Sequence, residues 1–74
     1  MSIEVIFGKV LRNIREDRKL SQEQLAHLSE LDRTYISLLE RGKRRPTINT
    51  LFDLCKPLGL KPSEFLEEIE KEIY

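Results

Sequence analysis

The apolar positions fall into five helical runs. Ile6, Phe7, Val10, Leu11 and Ile14 recur at i, i+1, i+4, i+5 and i+8, one stripe of a helix predicted over Ile3 to Asp17. Gly8 inside it costs ~1 kcal/mol against alanine, so a close approach by a neighbour is expected there. Ser21 is a good N-cap for a second helix, and Gln24 three residues later completes a capping box. Leu25, Ala26 and Leu28 give that helix its apolar face. Asp32 caps a third helix, with Ile36 and Leu39 inward and Gly42 as its stop signal. Only Ser29, Glu30 and Leu31 lie between the two short helices. A connection that short forces a steep crossing, with Ala26 at the closest approach and Leu31 plugging the corner.

After a basic loop, GKRRP at Gly42 to Pro46, Thr47 caps a fourth helix. Ile48, Leu51, Leu54, Cys55 and Leu58 mark its expected buried face. Pro57 removes a backbone hydrogen bond and is expected to end or kink the helix near Lys56. Gly59 turns the chain, and Pro62 suits the first position of a fifth helix. Phe65, Leu66, Ile69 and Ile73 form its stripe, with Glu67, Glu68, Glu70 and Glu72 around it. No segment has the alternation of a strand. The expectation is an all-α chain of five helices, one domain over residues 1–74.

Charge changes this picture by its distribution. The chain carries 13 Lys/Arg and 13 Asp/Glu, a formal net charge of zero. Residues 1–50 nevertheless hold ten basic against seven acidic residues, and residues 51–74 hold three against six. From Arg33 to Arg45 there are five basic residues and only Glu40 is acidic. Local potential steers a polyanion, so a basic patch matters more than the total.

The two capped helices resemble the helix-turn-helix of the lambda-repressor and Cro-like DNA-binding family. Gln22, Leu25, Ala26, Leu31, Ile36, Leu39 and Glu40 carry the resemblance, with Gly42 following. It spans roughly Ile6 to Leu66, most of the chain. The segment LDRTYIS at Leu31 to Ser37, with Glu40–Arg41, is more narrowly similar to the controller proteins of restriction–modification systems. One position departs: Glu30 stands where the family usually has glycine. Either Glu30 takes a left-handed conformation at a cost of about 1 kcal/mol, or the turn differs.

The resemblance implies a lambda-repressor-like domain whose third helix enters the major groove of double-stranded DNA. Arg33, Thr34, Ser37 and Leu38 lie opposite its inward face and are the expected base readers. Arg33 suits a bidentate contact to guanine, and Leu38 a thymine methyl. Gln22 and Gln24 stand at the start of the second helix, where a phosphate would meet the positive end of its dipole. Tyr35, Lys43, Arg44 and Arg45 complete the expected phosphate contacts. Tyr35 has an equal alternative in packing across the helix. In the family an arginine of the first helix pairs with the glutamate ending the third, which here means Arg15 with Glu40.

Seventy-four residues bury only ~60% of their unfolded surface, so a second subunit would add stability. Leu58, Leu60, Ile69 and Ile73 are the expected homodimer contacts, with residues 61–74 contributing the interface helix. Phe65 and Leu66 are expected to close the protomer core. The expected partners are a near-palindromic operator, a second copy and, as a further candidate, RNA polymerase. A phage or plasmid repressor would use the same residues, and an antitoxin-like module would use the acidic C-terminal helix against a partner protein.

Other chemistry finds little support. His27 is the only histidine and Cys55 the only cysteine, so no zinc site or His–Cys pair has conventional spacing. His27 is expected in solvent and Cys55 in the core. No glycine-rich phosphate loop occurs, and the Glu67–Glu68 carboxylates sit on a solvated face. No enzyme, cofactor, metal or small-molecule ligand is expected. No apolar run approaches the ~20 residues of a membrane span, so a soluble chain is expected, and a single cysteine, which allows no internal disulfide, fits a reducing cytoplasm.

Overall fold

The computed structural model describes residues 2–74. Among them are five α-helices and no strand: α1 Ile3–Asp17, α2 Gln22–Ser29, α3 Arg33–Glu40, α4 Ile48–Leu58 and α5 Pro62–Ile73. Their starts follow the side chains that satisfy free N–H groups. The Ser2 and Thr47 hydroxyls accept from Val5 and Thr50, and Ser21 and Gln24 form the reciprocal capping box. The Glu64 carboxylate accepts from the Lys61 N–H at 2.8 Å ahead of Pro62.

α1 packs on α3 and α5, α2 on α3 and α4, and α4 on α5. The shared core runs from Ile6, Phe7, Val10 and Leu11 through Leu25, Ile36 and Leu39 to Leu51, Leu54, Leu58 and Phe65. Phe7 and Phe65 join α1 to α5 with ring centroids 4.9 Å apart, tilted by 41°. Such aromatic pairs add about 0.5–1.5 kcal/mol to the area they bury. Cys55 lies in this core, and burial, with a smaller contribution from Glu64, pushes its thiol up to about 11.

Several expectations need correction. Leu28 is 54% exposed, so the apolar face of α2 is Leu25 and Ala26 alone. Ile48 is exposed, and the buried place in the first turn of α4 belongs to Thr50. Leu66 is 46% exposed, whereas Ile69, one position round on the neighbouring flank of the same helix, is buried and does reach the core. Leu58 is 1% exposed and lies wholly within the protomer. Pro57 does not stop α4, because it sits in the last turn. The carbonyl it leaves without a donor belongs to exposed Asp53. The helix ends at Gly59, whose φ of 71° is left-handed, and the Leu60 N–H bonds back to the Cys55 carbonyl at 3.0 Å. Arg18 supplies a further cap, its Nε donating to the Leu58 carbonyl at 3.0 Å. Lys19 turns the chain out of α1 with a φ of 58°, which no sequence signal indicated.

Gly8 is where α1 meets the end of α3. A Cβ at this position would lie 2.3 Å from the Leu39 carbonyl oxygen and 2.6 Å from that of Glu40. Both are backbone atoms at a helix end and cannot swing aside. Gly8→Ala is therefore expected to destabilise the fold by about 1–3 kcal/mol, the usual cost of overpacking, despite alanine's better helix propensity. Urea denaturation measures this, and an unchanged midpoint would show that the two helices separate freely.

Candidate nucleic-acid interface

α2 and α3 are joined by Glu30, Leu31 and Asp32, because Ser29 stays in α2 with its hydroxyl donating to the Leu25 carbonyl at 2.7 Å. Glu30 adopts φ 58° and ψ 36°, the left-handed conformation expected of a glycine replacement. The Leu31 N–H then reaches the Ala26 carbonyl at 3.0 Å, closing the helix end, and Leu31 packs on the core. Asp32 opens α3, its carboxylate accepting from the Thr34 N–H at 3.1 Å.

The outward side of α3 carries Arg33 and Thr34, both exposed, with Ser37 and Leu38 half-buried. Leu38 is thus less solvated than its place on the polar face suggested. Beyond α3 the chain enters the basic loop through Gly42, whose φ is 72°. An added Cβ there would come within 2.9 Å of Val5 Cγ2, so glycine seats the loop against the start of α1. Ser2, Glu4 and Gly42 to Arg45 line one shallow concavity at this junction.

The end of α3 is held by an ion cluster. Arg15 Nε and Nη2 donate to the two Glu40 oxygens at 2.5 and 3.0 Å, and Nη1 donates to the Leu20 carbonyl at 2.7 Å. The two side chains are 10% and 3% exposed. Gln22 adds a third donor to Glu40, its Nε2 lying 3.0 Å from Oε1. The hydrogen bond to Glu40 raises the Arg15 pKa against the opposing effect of burial. No buried polar side-chain atom among the described residues lacks a partner.

The expected phosphate contacts divide by what already engages them. The Gln22 nitrogen is bound to Glu40, and the Gln24 oxygen accepts from the Ser21 N–H at 2.8 Å. The Tyr35 hydroxyl lies 3.1 Å from Thr50 Oγ1, and its ring packs on the core, so the packing alternative holds at least for the ring. Arg45 pairs with Glu4 at 3.1 Å, although its side chain is fully open to solvent. Lys43 and Arg44 are exposed and in no ion pair among the described residues, as are Arg33 and Arg41. Arg41 escaped the sequence reading. Its signal was position, since it follows α3 directly and precedes the basic loop.

A capped α2–turn–α3 unit with one polar, cation-bearing flank defines a helix-turn-helix. The helix-turn-helix family model matches residues 11–65. The control protein C.MunI of Mycoplasma sp is 41% identical over 71 residues, covering 95% of this chain and 96% of that protein. The control protein C.BamHI of Bacillus amyloliquefaciens is 39% identical, with 89% of this chain and 83% of that protein covered. The restriction–modification controller C.Esp1396I has been solved as a tetramer with its natural 35 base-pair operator. It superposes with a TM-score of 0.90 at 38% identity, covering 99% of this chain and 96% of that one. The chain belongs to the helix-turn-helix family of DNA-binding transcriptional regulators, within its restriction–modification controller group.

The ion cluster yields a test. Removing one partner of a buried pair leaves the other charged without compensation, at a cost of about 3–5 kcal/mol. Arg15→Met is expected to lose that much stability, and Arg15→Met with Glu40→Met clearly less. Chemical denaturation of both variants measures the difference. Equal losses would mean that the two charges act independently.

Proposed function

We propose that the chain acts as a homodimer on a near-palindromic operator and times the expression of restriction–modification genes. The observation that carries the reading is the set of exposed cations Arg33, Arg41, Lys43 and Arg44 along α3 and the loop behind it, on a helix whose end is clamped by Glu40. Unpaired cations release counterions from phosphates and supply affinity, while base-edge contacts supply sequence choice. Lys43 and Arg44 fit the first role, and Arg33, Thr34, Ser37 and Leu38 the second. Gln22 and Gln24 approach DNA as members of a cap and a clamp, so their part is to hold the start of α2 steady.

Two copies of α3 would enter successive major grooves about 34 Å apart. A protomer measuring 32 × 23 × 22 Å is compatible with that spacing when two lie side by side. The dimer face needs redrawing from the expected one, since Leu58 and Ile69 lie in the protomer core. Exposed apolar surface remains on Phe52, Leu66 and Ile73, with half-buried Leu60 and Pro62 between α4 and α5. Phe52, Leu60 and Pro62 line one concavity, and Leu66 follows Pro62 by four residues and precedes Ile73 by seven. That spacing continues a single stripe down α5. Dimerisation and operator filling both follow mass action, so the protein's own concentration sets the response. No helix among the described residues is long and apolar enough to cross a membrane, and no group of three metal-ligating side chains converges there.

Binding-site selection from random duplexes tests this reading. With the selected site in hand, Arg33→Ala should relax preference at one base position, at about 1–3 kcal/mol of discrimination. Arg44→Ala should weaken all sequences alike and reduce the salt slope by about 1. Equal loss on every sequence from Arg33→Ala would move that residue to the phosphate group. Leu66→Asp places a charge on exposed surface, so the protomer should stay folded while sedimentation reports a monomer. A variant that remains dimeric would remove the α5 stripe from the interface.

A further inference from the structure

Thr47, Thr50 and Tyr35 form a chain of hydroxyls between α4 and α3. The Thr47 oxygen caps α4 by accepting the Thr50 N–H at 3.0 Å, and its proton points to Thr50 Oγ1 at 3.1 Å. The Tyr35 hydroxyl lies 3.1 Å from that same Oγ1. A hydroxyl has one proton and two acceptor positions. Thr50 is 6% exposed, so its proton must find a partner inside the protein. Oγ1 already receives the Thr47 proton, and among the described residues the acceptor in reach of its own proton is the Tyr35 oxygen. The direction of the chain follows: Thr47 donates to Thr50, and Thr50 donates to Tyr35. The phenol proton is then the one hydroxyl hydrogen of the three with no acceptor among the described residues. Tyr35 is half-buried in the first half of α3, beside exposed Arg33 and Thr34.

We propose that Thr50, which lies outside the helix-turn-helix, is a positioning residue for DNA binding: it orients the Tyr35 hydroxyl so that its proton is offered to a phosphate oxygen. This rests on the DNA-binding reading and sharpens the role of Tyr35 within it. The packed ring fixes where the oxygen stands, and Thr50 fixes which way the proton faces. A tyrosine without this partner would turn its proton inward for part of the time. The donor is neutral, so its loss leaves the salt slope unchanged, unlike loss of Arg44.

The experiment is a double-mutant cycle on the duplex selected by the wild-type protein, with affinities measured for Thr50→Val, Tyr35→Phe and the pair. Valine keeps the shape of threonine and removes only the hydroxyl. Each single variant is expected to bind about three- to tenfold more weakly, the range of one neutral hydrogen bond. The pair should bind no more weakly than Tyr35→Phe alone, and Thr50→Ser should restore wild-type affinity. Should Thr50→Val cost the same factor in the Tyr35→Phe protein, Thr50 acts through packing and the relay is refuted. Wild-type affinity in Tyr35→Phe refutes it equally. Thermal melts keep the comparison at a temperature where all variants are folded. Failure of the underlying reading looks different, since the wild-type protein would then enrich no duplex.

Discussion

The arrangement of the helix-turn-helix depends on one buried carboxylate. Glu40 is the last residue of α3, and its oxygens receive Arg15 from α1 and Gln22 from the start of α2. The third arm of the same guanidinium holds the Leu20 carbonyl, in the turn between those helices. A single acid thus ties three helices at one point. Two charges this buried are costly unless they are paired and hydrogen-bonded, and no buried side-chain nitrogen or oxygen among the described residues lacks a partner. The opposite end of α3 is fixed by neutral groups, the Asp32 cap and the Tyr35–Thr50 contact with α4. Between these two anchors, no hydrogen bond or ion pair among the described residues engages the side chains of Arg33, Thr34, Ser37 or Leu38 on the outward flank.

Helix starts were legible because caps are local. Ser21 with Gln24, Thr47 and Pro62 each act within one turn, and each does so in the fold. The edges of the apolar stripes were less legible. Periodicity gives the centre of a stripe about 100° wide, and the packing partner decides which border residue is covered. Leu28, Ile48 and Leu66 fell outside, while Ile69 and Thr50 fell inside. Thr50 was missed because a hydroxyl reads as polar until its partner across the fold is known. The left-handed Lys19 had no glycine to announce it. The Arg15–Glu40 pair came from resemblance to a family and not from periodicity, since nothing local links residues 25 apart in sequence.

Net charge alone would have argued against a DNA partner. The fold explains how a neutral chain presents a basic flank. Acidic groups of α5 are partly neutralised by Lys9 of α1 and by Lys71 of the same helix, at 2.7 and 2.9 Å. Glu40 is matched inside the protein by Arg15. Four cations around α3 have no such partner among the described residues, and this difference in pairing, more than the count of charges, shapes the field that a polyanion meets.

Gly8 gives the domain a separable design. The α1–α3 distance is set by main-chain carbonyls of Leu39 and Glu40 standing where a side chain would otherwise be. No substituent on the outward flank of α3 enters that contact. Arg33, Thr34, Ser37 and Leu38, the residues proposed to read bases, therefore stand apart from the contact that sets the frame. A single methyl at position 8 does the reverse. It would push on the end of α3 and so shift that whole helix against α1, without changing any residue of its outward flank.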